Sequence, residues 1–455
     1  MTFQSINPYN NELLAEIPVW GEQELEAALN QVSAASTQWQ ALSFAQRAEY
    51  LGRVAQVIRQ QKDALARTIT LEMGKLLSEA EAEVEKSASV CEYYAEHAQI
   101  FLADEDIASD AAHSFVTYQP LGTVLAVMPW NFPLWQVFRF AAPALMAGNT
   151  GVLKHASNVP QCALAIEKIF QDAGLPEGVF RSLMIKASQV ERVIADERIH
   201  AVTLTGSEVA GRSVAAVAGK YLKKTVLELG GSDAFIVLAD ADLEQAIKSA
   251  VTSRFLNAGQ SCIAAKRFIV MEELADDFVE GFANACQQLR MGDPLDGDTQ
   301  LAPMARGDLR TELHQQVIAT IKQGGRVVIG CEPIDENECQ YPASIIDHVQ
   351  RGIVSYEEEL FGPVASVIRV KDETQAIAVA NDSRFGLGGS VWTQDVVRGE
   401  KLARQVAAGA CFVNGFVKSD PRLPFGGIKA SGYGRELARW GIQEFMNLKT
   451  IWIGS

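Results

Sequence analysis

Between Leu121 and about Leu229 the chain repeats one pattern, a short apolar run followed by a helical stretch. Val124 to Met128, Thr150 to Leu153 and Ala201 to Thr205 are strand-like, while Gln161 to Ala173 and Val209 to Leu222 carry apolar residues at helical spacing. Parallel strands cannot be joined by a tight turn; each pair needs a long crossover, usually a helix. The alternation therefore predicts a parallel sheet flanked by helices. A second cycle starts at Ala234 to Leu238. It continues through a helix at Leu243 to Ala258, a strand at Arg267 to Met271, a helix at Leu274 to Leu289, and strands at Arg326 to Ile329 and Ala365 to Val370. This predicts a second α/β unit, in keeping with a length of 455 residues, too long for one core.

Other segments fall outside these cycles. Glu22 to about Ile100 is helical in character, with Leu51, Val54, Ile58, Leu65 and Ile69 mostly three or four residues apart. After the acidic stretch Asp104 to Asp110, His113 to Pro120 alternates like an exposed strand, and Thr450 to Ile453 is again strand-like. Bulk properties exclude several classes. A formal charge of −16 argues against binding nucleic acid or an anionic membrane, both of which need a basic face. The apolar runs at Val124 to Met128 and Phe138 to Met146 are interrupted by Pro129, Arg139 and Pro143, so neither is a membrane span. Met1 to Ser5 shows no secretory pattern, and seven cysteines without a CxxC pair suit a reducing cytoplasm. The six histidines form no metal-binding motif, so no metal is expected.

Chemistry concentrates around Cys262, in Gly259-Gln260-Ser261-Cys262, and Glu228, in Leu227-Glu228-Leu229-Gly230-Gly231. A thiolate attacks carbonyl carbons and a carboxylate can activate water. An arbitrary cysteine is more often a small buried apolar residue; its company here argues otherwise. Thr205 to Gly211 is a Gly-bearing turn that follows a strand and opens a helix, where a phosphate can meet a helix N-terminus, although it is not GxGxxG. Met128 to Pro133 sets the Asn131 amide between two prolines in a stiff loop, apt for a fixed hydrogen-bond donor. Glu359 to Val364 and Pro424 to Gly432 combine Gly, Pro and an aromatic residue, suited to holding flat parts of a ligand.

Together these motifs resemble the aldehyde dehydrogenase superfamily, in order and distance, over essentially the whole chain. The resemblance implies a Rossmann-type dinucleotide-binding domain (1–105 and 121–228), an α/β catalytic domain (229–424) and a small bridging β-sheet (106–120 and 436–455). The open edges of that sheet would make the protein a homodimer or homotetramer. It implies that Cys262 attacks an aldehyde, that the Asn131 amide and the Cys262 backbone N–H stabilise the oxyanion, and that Glu228 activates water to release a carboxylic acid. Members that pass the acyl group to coenzyme A generally lack this glutamate. The implied cofactor set is Trp130, Lys154, Ser157, Gly206, Ser207, Gly211, Leu229, Gly230, Glu359 and Phe361. Many NAD-specific members carry a glutamate where this chain has Ser157. Serine removes that repulsion of a 2′-phosphate, so the cofactor is expected to be NADP or NAD.

The aldehyde is expected to be short and carboxylated. Arg139 sits on an apolar helix eight residues after Asn131, either in an internal ion pair or as a carboxylate clamp. It matches an arginine of succinate-semialdehyde dehydrogenases, and Ser419 matches a pocket serine of that group. Leu256 stands where many of them carry a second arginine. The reading is thus a cytoplasmic enzyme that oxidises succinate semialdehyde to succinate. The alternatives are a broad-specificity aliphatic or aromatic aldehyde dehydrogenase and, in another class, an inactive binding or structural homologue.

Overall fold

A computed structural model of the chain describes residues 1–334 and 339–454. Residues 335–338, inside the expected catalytic domain, and Ser455, the end of the expected bridging segment, lie outside the described residues.

The first α/β cycle forms a six-stranded sheet in the order Gly432–Tyr433, Lys224–Glu228, Ile199–Thr205, Thr123–Met128, Thr150–His155, Phe180–Ser182. All neighbours are parallel except the first pair, where Gly432 lies opposite Glu228. Successive side chains of a strand point to opposite faces, so a strand buried on both faces is apolar throughout. Thr123–Met128 follows that rule: Val124, Ala126 and Met128 join one core cluster, and Leu125 joins the cluster on the other face.

The second cycle forms a seven-stranded sheet in the order Arg326–Ile329, Ser344–Asp347, Val364–Val370, Ala265–Met271, Asp233–Val237, Gly388–Trp392, Ala410–Val413. Only the edge strand Arg326–Ile329 runs antiparallel. Here Ala234, Ile236 and Leu238 face one core, and Phe235 and Val237 face the other. Met446–Ile453, His113–Pro120 and Glu105–Asp106 make a separate antiparallel sheet, and Thr2–Ile6 pairs with Leu13–Pro18. The N-terminal helical region resolves into Glu22–Gln40, Phe44–Gln60, Lys62–Met73 and Leu77–Phe101. Among the described residues no helix is long and apolar enough to cross a membrane, and no cluster of His, Cys, Asp or Glu could hold a metal ion.

Strand order positions the site. From the central strand Thr123–Met128 the chain goes to Thr150–His155 on one side and later returns to Ile199–Thr205 on the other. The carboxyl ends of those two outgoing strands open a crevice, where open α/β sheets bind ligands.

One predicted element needs correction. The helix expected over Leu243 to Ala258 stops at Phe255, and residues 256–259 form a short tight turn. Asn257 and Ala258 take φ of 55° and 52°, a left-handed conformation that strains non-glycine residues by about 1–3 kcal/mol each. Tertiary hydrogen bonds hold the turn. The Asn257 N–H donates to Glu79 at 3.0 Å, and Arg254 donates to the carbonyls of Gly259 and Ala265 at 2.9 and 3.1 Å.

Candidate active site

The loop from Pro129 to Pro133 leads from the central strand into the helix Trp135–Met146, all of whose residues are buried. Its two prolines restrict φ, and buried polar groups remove the remaining freedom. Glu83 accepts the backbone N–H groups of Leu134 and Trp135 at 2.9 and 3.0 Å, which satisfies orphan donors at that helix's N-terminus. Lys75 pairs with Glu83 and donates to the Asn131 carbonyl at 2.9 Å. His155 Nδ1 accepts the Ala156 N–H, so Nε2 carries the proton and donates to the Pro133 carbonyl at 2.9 Å. Burial pulls the His155 pKa down to about 4, which keeps the ring neutral.

The Asn131 side chain is oriented from both ends. Gln136 Nε2 donates to its Oδ1 at 3.1 Å, and its Nδ2 donates to the Gln260 carbonyl at 3.0 Å. One N–H of the amide is left to bind something else.

Cys262 follows the strained turn. Lys266 Nζ ties down the Ser261 and Cys262 carbonyls at 2.8 and 2.9 Å and lies 3.1 Å from Glu359. Two cavities meet at this cysteine. The smaller, of about 370 Å³, is walled by Phe132, Trp135, Arg139, Leu256, Ser419 and Phe425 among others. The larger, of about 580 Å³, occupies the crevice at the sheet's carboxyl edge. Among the described residues only Cys262 and Gln136 line both. Burial pushes the Cys262 thiol up to about 12, although the positive charges of Arg139 and Lys266 act the other way. At rest the sulfur therefore carries its proton.

Glu228 ends its strand fully buried, and it lines neither cavity. Among the described residues neither of its carboxylate oxygens has a hydrogen-bond partner. The carboxylate packs so tightly on Gly426 that a Cβ there would come within 2.5 Å of Oε1. Burial first, and the neighbouring Glu436 second, raise the Glu228 pKa well above the usual carboxylate range. Arg139 forms a buried ion pair with Glu436, and its guanidinium stacks 4.6 Å from the Phe425 ring. Arg139 thus borders the smaller cavity with its charge already partnered. Ser419, also buried in that wall, accepts a hydrogen bond from Lys86 Nζ at 2.7 Å.

Of the residues expected to hold a cofactor, Trp130, Gly206, Ser207, Leu229, Gly230, Glu359 and Phe361 line the larger cavity. Ser207 caps the helix Glu208–Lys220 by accepting the Ala210 N–H, and so aims that helix's N-terminus at the crevice. Trp130 and Phe361 meet edge to face at 5.9 Å. Glu359 accepts the Gly231 N–H at 3.1 Å. Gly211 sits apart from the cavity lining. A Cβ there would lie 2.5 Å from the Leu229 side chain, so this glycine lets helix and strand pack closely. Lys154, half-buried at the end of Thr150–His155, and the exposed Ser157 also lie beyond the lining, on the same carboxyl edge of the sheet. Burial lowers the Lys154 pKa. A groove with a helix N-terminus in its wall, flat aromatic faces and two polar side chains further along its edge fits an elongated, phosphate-bearing dinucleotide.

Sequence reasoning did not anticipate Gln136, Lys86 or the Lys75–Glu83 pair. Lys86 and the Lys75–Glu83 pair act across tertiary contacts, whereas Gln136 reaches back only five residues to Asn131.

Comparison with known proteins gives concordant results. The Aldehyde dehydrogenase family model matches residues 1–451. A probable succinate-semialdehyde dehydrogenase [NADP(+)] of Synechocystis sp. is 51% identical over 453 residues, covering 100% of both chains. The succinate-semialdehyde dehydrogenase [NADP(+)] of Mycobacterium avium is 47% identical, covering 100% of this chain and 97% of the relative. The crystal structure of succinic semialdehyde dehydrogenase from Streptococcus pyogenes in complex with NADP+ superposes with a TM-score of 0.98 at 39% identity, covering 100% of both chains.

Proposed function

The chain belongs to the aldehyde dehydrogenase family, and on that premise we propose that it oxidises succinate semialdehyde to succinate, with Cys262 as nucleophile and NADP or NAD as cofactor. The observation that carries this reading is the position of Cys262 on the wall shared by the two cavities. A thiol there reaches a small substrate on one side and faces the dinucleotide groove on the other. The substrate rests on the names of the relatives described above, which cover the whole chain, and on the cationic side chains around the smaller cavity.

When bound, the nicotinamide supplies the hydride acceptor. Gly206, Ser207 and the helix they open would hold the pyrophosphate. Lys154 and Ser157 would hold the adenosine ribose, and Glu359, Trp130 and Phe361 the nicotinamide end. The chain's own residues do the rest. The Cys262 thiol loses its proton to water, the sulfur adds to the aldehyde carbon, and the spare Asn131 N–H and the Cys262 backbone N–H stabilise the oxyanion. Loss of hydride leaves a thioester on Cys262. Glu228 then takes a proton from water, the hydroxide attacks the thioester carbon, the C–S bond breaks and the acid departs. The inactive-homologue reading leaves the joint presence of Asn131, Glu228 and Cys262 without a purpose.

We also read the protein as a cytoplasmic homodimer or homotetramer. The edge strand Met446–Ile453 leaves Leu448, Trp452 and Ile453 about half exposed, an apolar edge suited to a second copy. The cysteine pattern favours a reducing compartment.

A steady-state panel of aldehydes against NADP and NAD tests the reading. Succinate semialdehyde should give the highest kcat/KM; a clear preference for butanal or benzaldehyde would favour the broad-specificity alternative. Ser157→Glu should move the NADP-to-NAD ratio of kcat/KM at least about tenfold towards NAD, because like charges in a partly dry site repel by a few kcal/mol. An unchanged ratio would remove Ser157 from the ribose pocket.

Arg139→Leu is expected to lower the melting temperature, since it strands Glu436 in the interior. Breaking a buried pair costs about 3–5 kcal/mol, and the lower end applies here because Glu436 can take up a proton. Thermal denaturation measures this. Wild-type stability would mean that the Arg139–Glu436 pair contributes nothing net.

A further inference from the structure

We propose that Lys86 is the counter-ion of the substrate's carboxylate and binds it together with the Ser419 hydroxyl. This deepens the ω-carboxylate reading above and rests on it.

Four cations border the smaller cavity: Lys75, Lys86, Arg139 and Lys418. Lys75 is committed to Glu83 and to the Asn131 carbonyl. Arg139 is committed to Glu436. Lys418 is exposed, and water and salt screen its charge. Lys86, on the helix Leu77–Phe101, is partly buried, and among the described residues no carboxylate forms an ion pair with it. The charged groups around it are Arg139, Glu83, Asp420 and Lys418. Glu83 is taken by Lys75 and two backbone N–H groups, and Asp420 by Arg422.

Among the described residues the ammonium group is held in place by neutral partners only. Nζ donates to Ser419 Oγ at 2.7 Å and lies 4.2 Å from the centre of the Trp135 ring. An ammonium has three N–H donors, so this arrangement leaves donors free. Having accepted from Lys86, the Ser419 hydroxyl can give its own proton to the same anion. Burial pulls the Lys86 pKa down to about 8, as expected for a cation removed from water without a partner. A carboxylate arriving in the cavity would supply that partner. Leu256, in the same wall, offers only apolar contact.

The test compares wild-type enzyme with Lys86→Met and Lys86→Arg, on succinate semialdehyde and on butanal, at saturating NADP. Loss of a charged hydrogen-bond partner should raise KM for succinate semialdehyde about tenfold or more in Lys86→Met. KM for butanal, and kcat for both substrates, should barely move, and Lys86→Arg should recover much of the loss. If Lys86 only braces the Ser419 loop, Lys86→Gln, which keeps a donor to that hydroxyl without the charge, will hold KM for succinate semialdehyde at the wild-type value, and that result overturns the proposal. Should Lys86→Met not fold, Lys86→Gln keeps a donor to Ser419 and gives the same comparison. A wild-type enzyme that shows no preference for succinate semialdehyde over butanal overturns the ω-carboxylate reading and this proposal together. A wild-type preference that survives in Lys86→Met overturns the role of Lys86 alone.

Discussion

Cys262→Ala is expected to abolish aldehyde oxidation, with a fall in kcat on the order of 10⁴-fold or more, while the protein still folds and binds NADPH. Every covalent step in the proposed cycle begins or ends on this sulfur, and no nearby group replaces a lost nucleophile. The fold should tolerate the change. The turn before Cys262 is fixed by Asn257, Arg254 and Lys266 through backbone groups that alanine keeps. Steady-state assays with succinate semialdehyde, alongside fluorescence titration with NADPH, separate loss of chemistry from loss of the groove. Turnover above a small percentage of wild type would mean that the aldehyde is oxidised without a covalent adduct. The raised thiol pKa adds a condition. At rest the sulfur is protonated, so the attacking thiolate must form when ligands rearrange the charges around it.

Much of the α/β scaffold was legible because its strands are buried on both faces and its crossovers are amphipathic. Thr123–Met128, Thr150–His155 and Ile199–Thr205 lie within a few residues of the apolar runs that predicted them. The small antiparallel sheet was partly visible, since His113 to Pro120 reads as an exposed strand, although Phe115 to Tyr118 are all half-buried and do not alternate in exposure. Illegible were features set by distant partners. Nothing local says that Asn257 and Ala258 leave the helix, because both residue types tolerate helical geometry. The departure depends on Glu79, from another part of the chain, capturing the Asn257 N–H. The pairing of Gly432 beside Glu228 is equally invisible in the sequence, and it brings the C-terminal loop over the end of that strand.

The candidate site divides in the same way. Cys262, Asn131 and Glu359 stand out because each sits in a loop whose Gly and Pro content marks it as special. Arg139 stood out because a cation on an apolar helix needs a partner, yet the sequence left open whether that was an internal ion pair or a ligand's carboxylate, and Glu436 as its ion-pair partner comes only from the fold. Lys86 gives no sign at all. It sits in a helix rich in Glu and Ala, where a lysine looks like an ordinary solvated residue. Its significance depends on Trp135 and Ser419, which only the fold brings to it.

Glu228→Gln is expected to leave the first hydride transfer intact and to slow steady-state turnover by about 10²–10⁴-fold, the usual contribution of a positioned general base. Glutamine has nearly the same shape and would fill the same pocket against Gly426, so the scaffold should survive. Stopped-flow absorbance should then show a burst of reduced cofactor, close to one equivalent per active site, followed by slow release. The wild-type enzyme should show a related pH dependence. Burial and Glu436 raise the Glu228 pKa well above the usual carboxylate range, so the carboxyl keeps its proton to higher pH where it rests. Raising the pH ionises it, and an ionised carboxylate without hydrogen bonds is costly to keep buried. The charge thus favours a turn of the side chain out of its pocket towards the Cys262 adduct, where water can solvate it. Deacylation should therefore accelerate as pH rises through the raised pKa, and Glu228→Gln should lose that rise. A variant that keeps both the wild-type steady state and the wild-type pH profile would assign the water-activating role to another base.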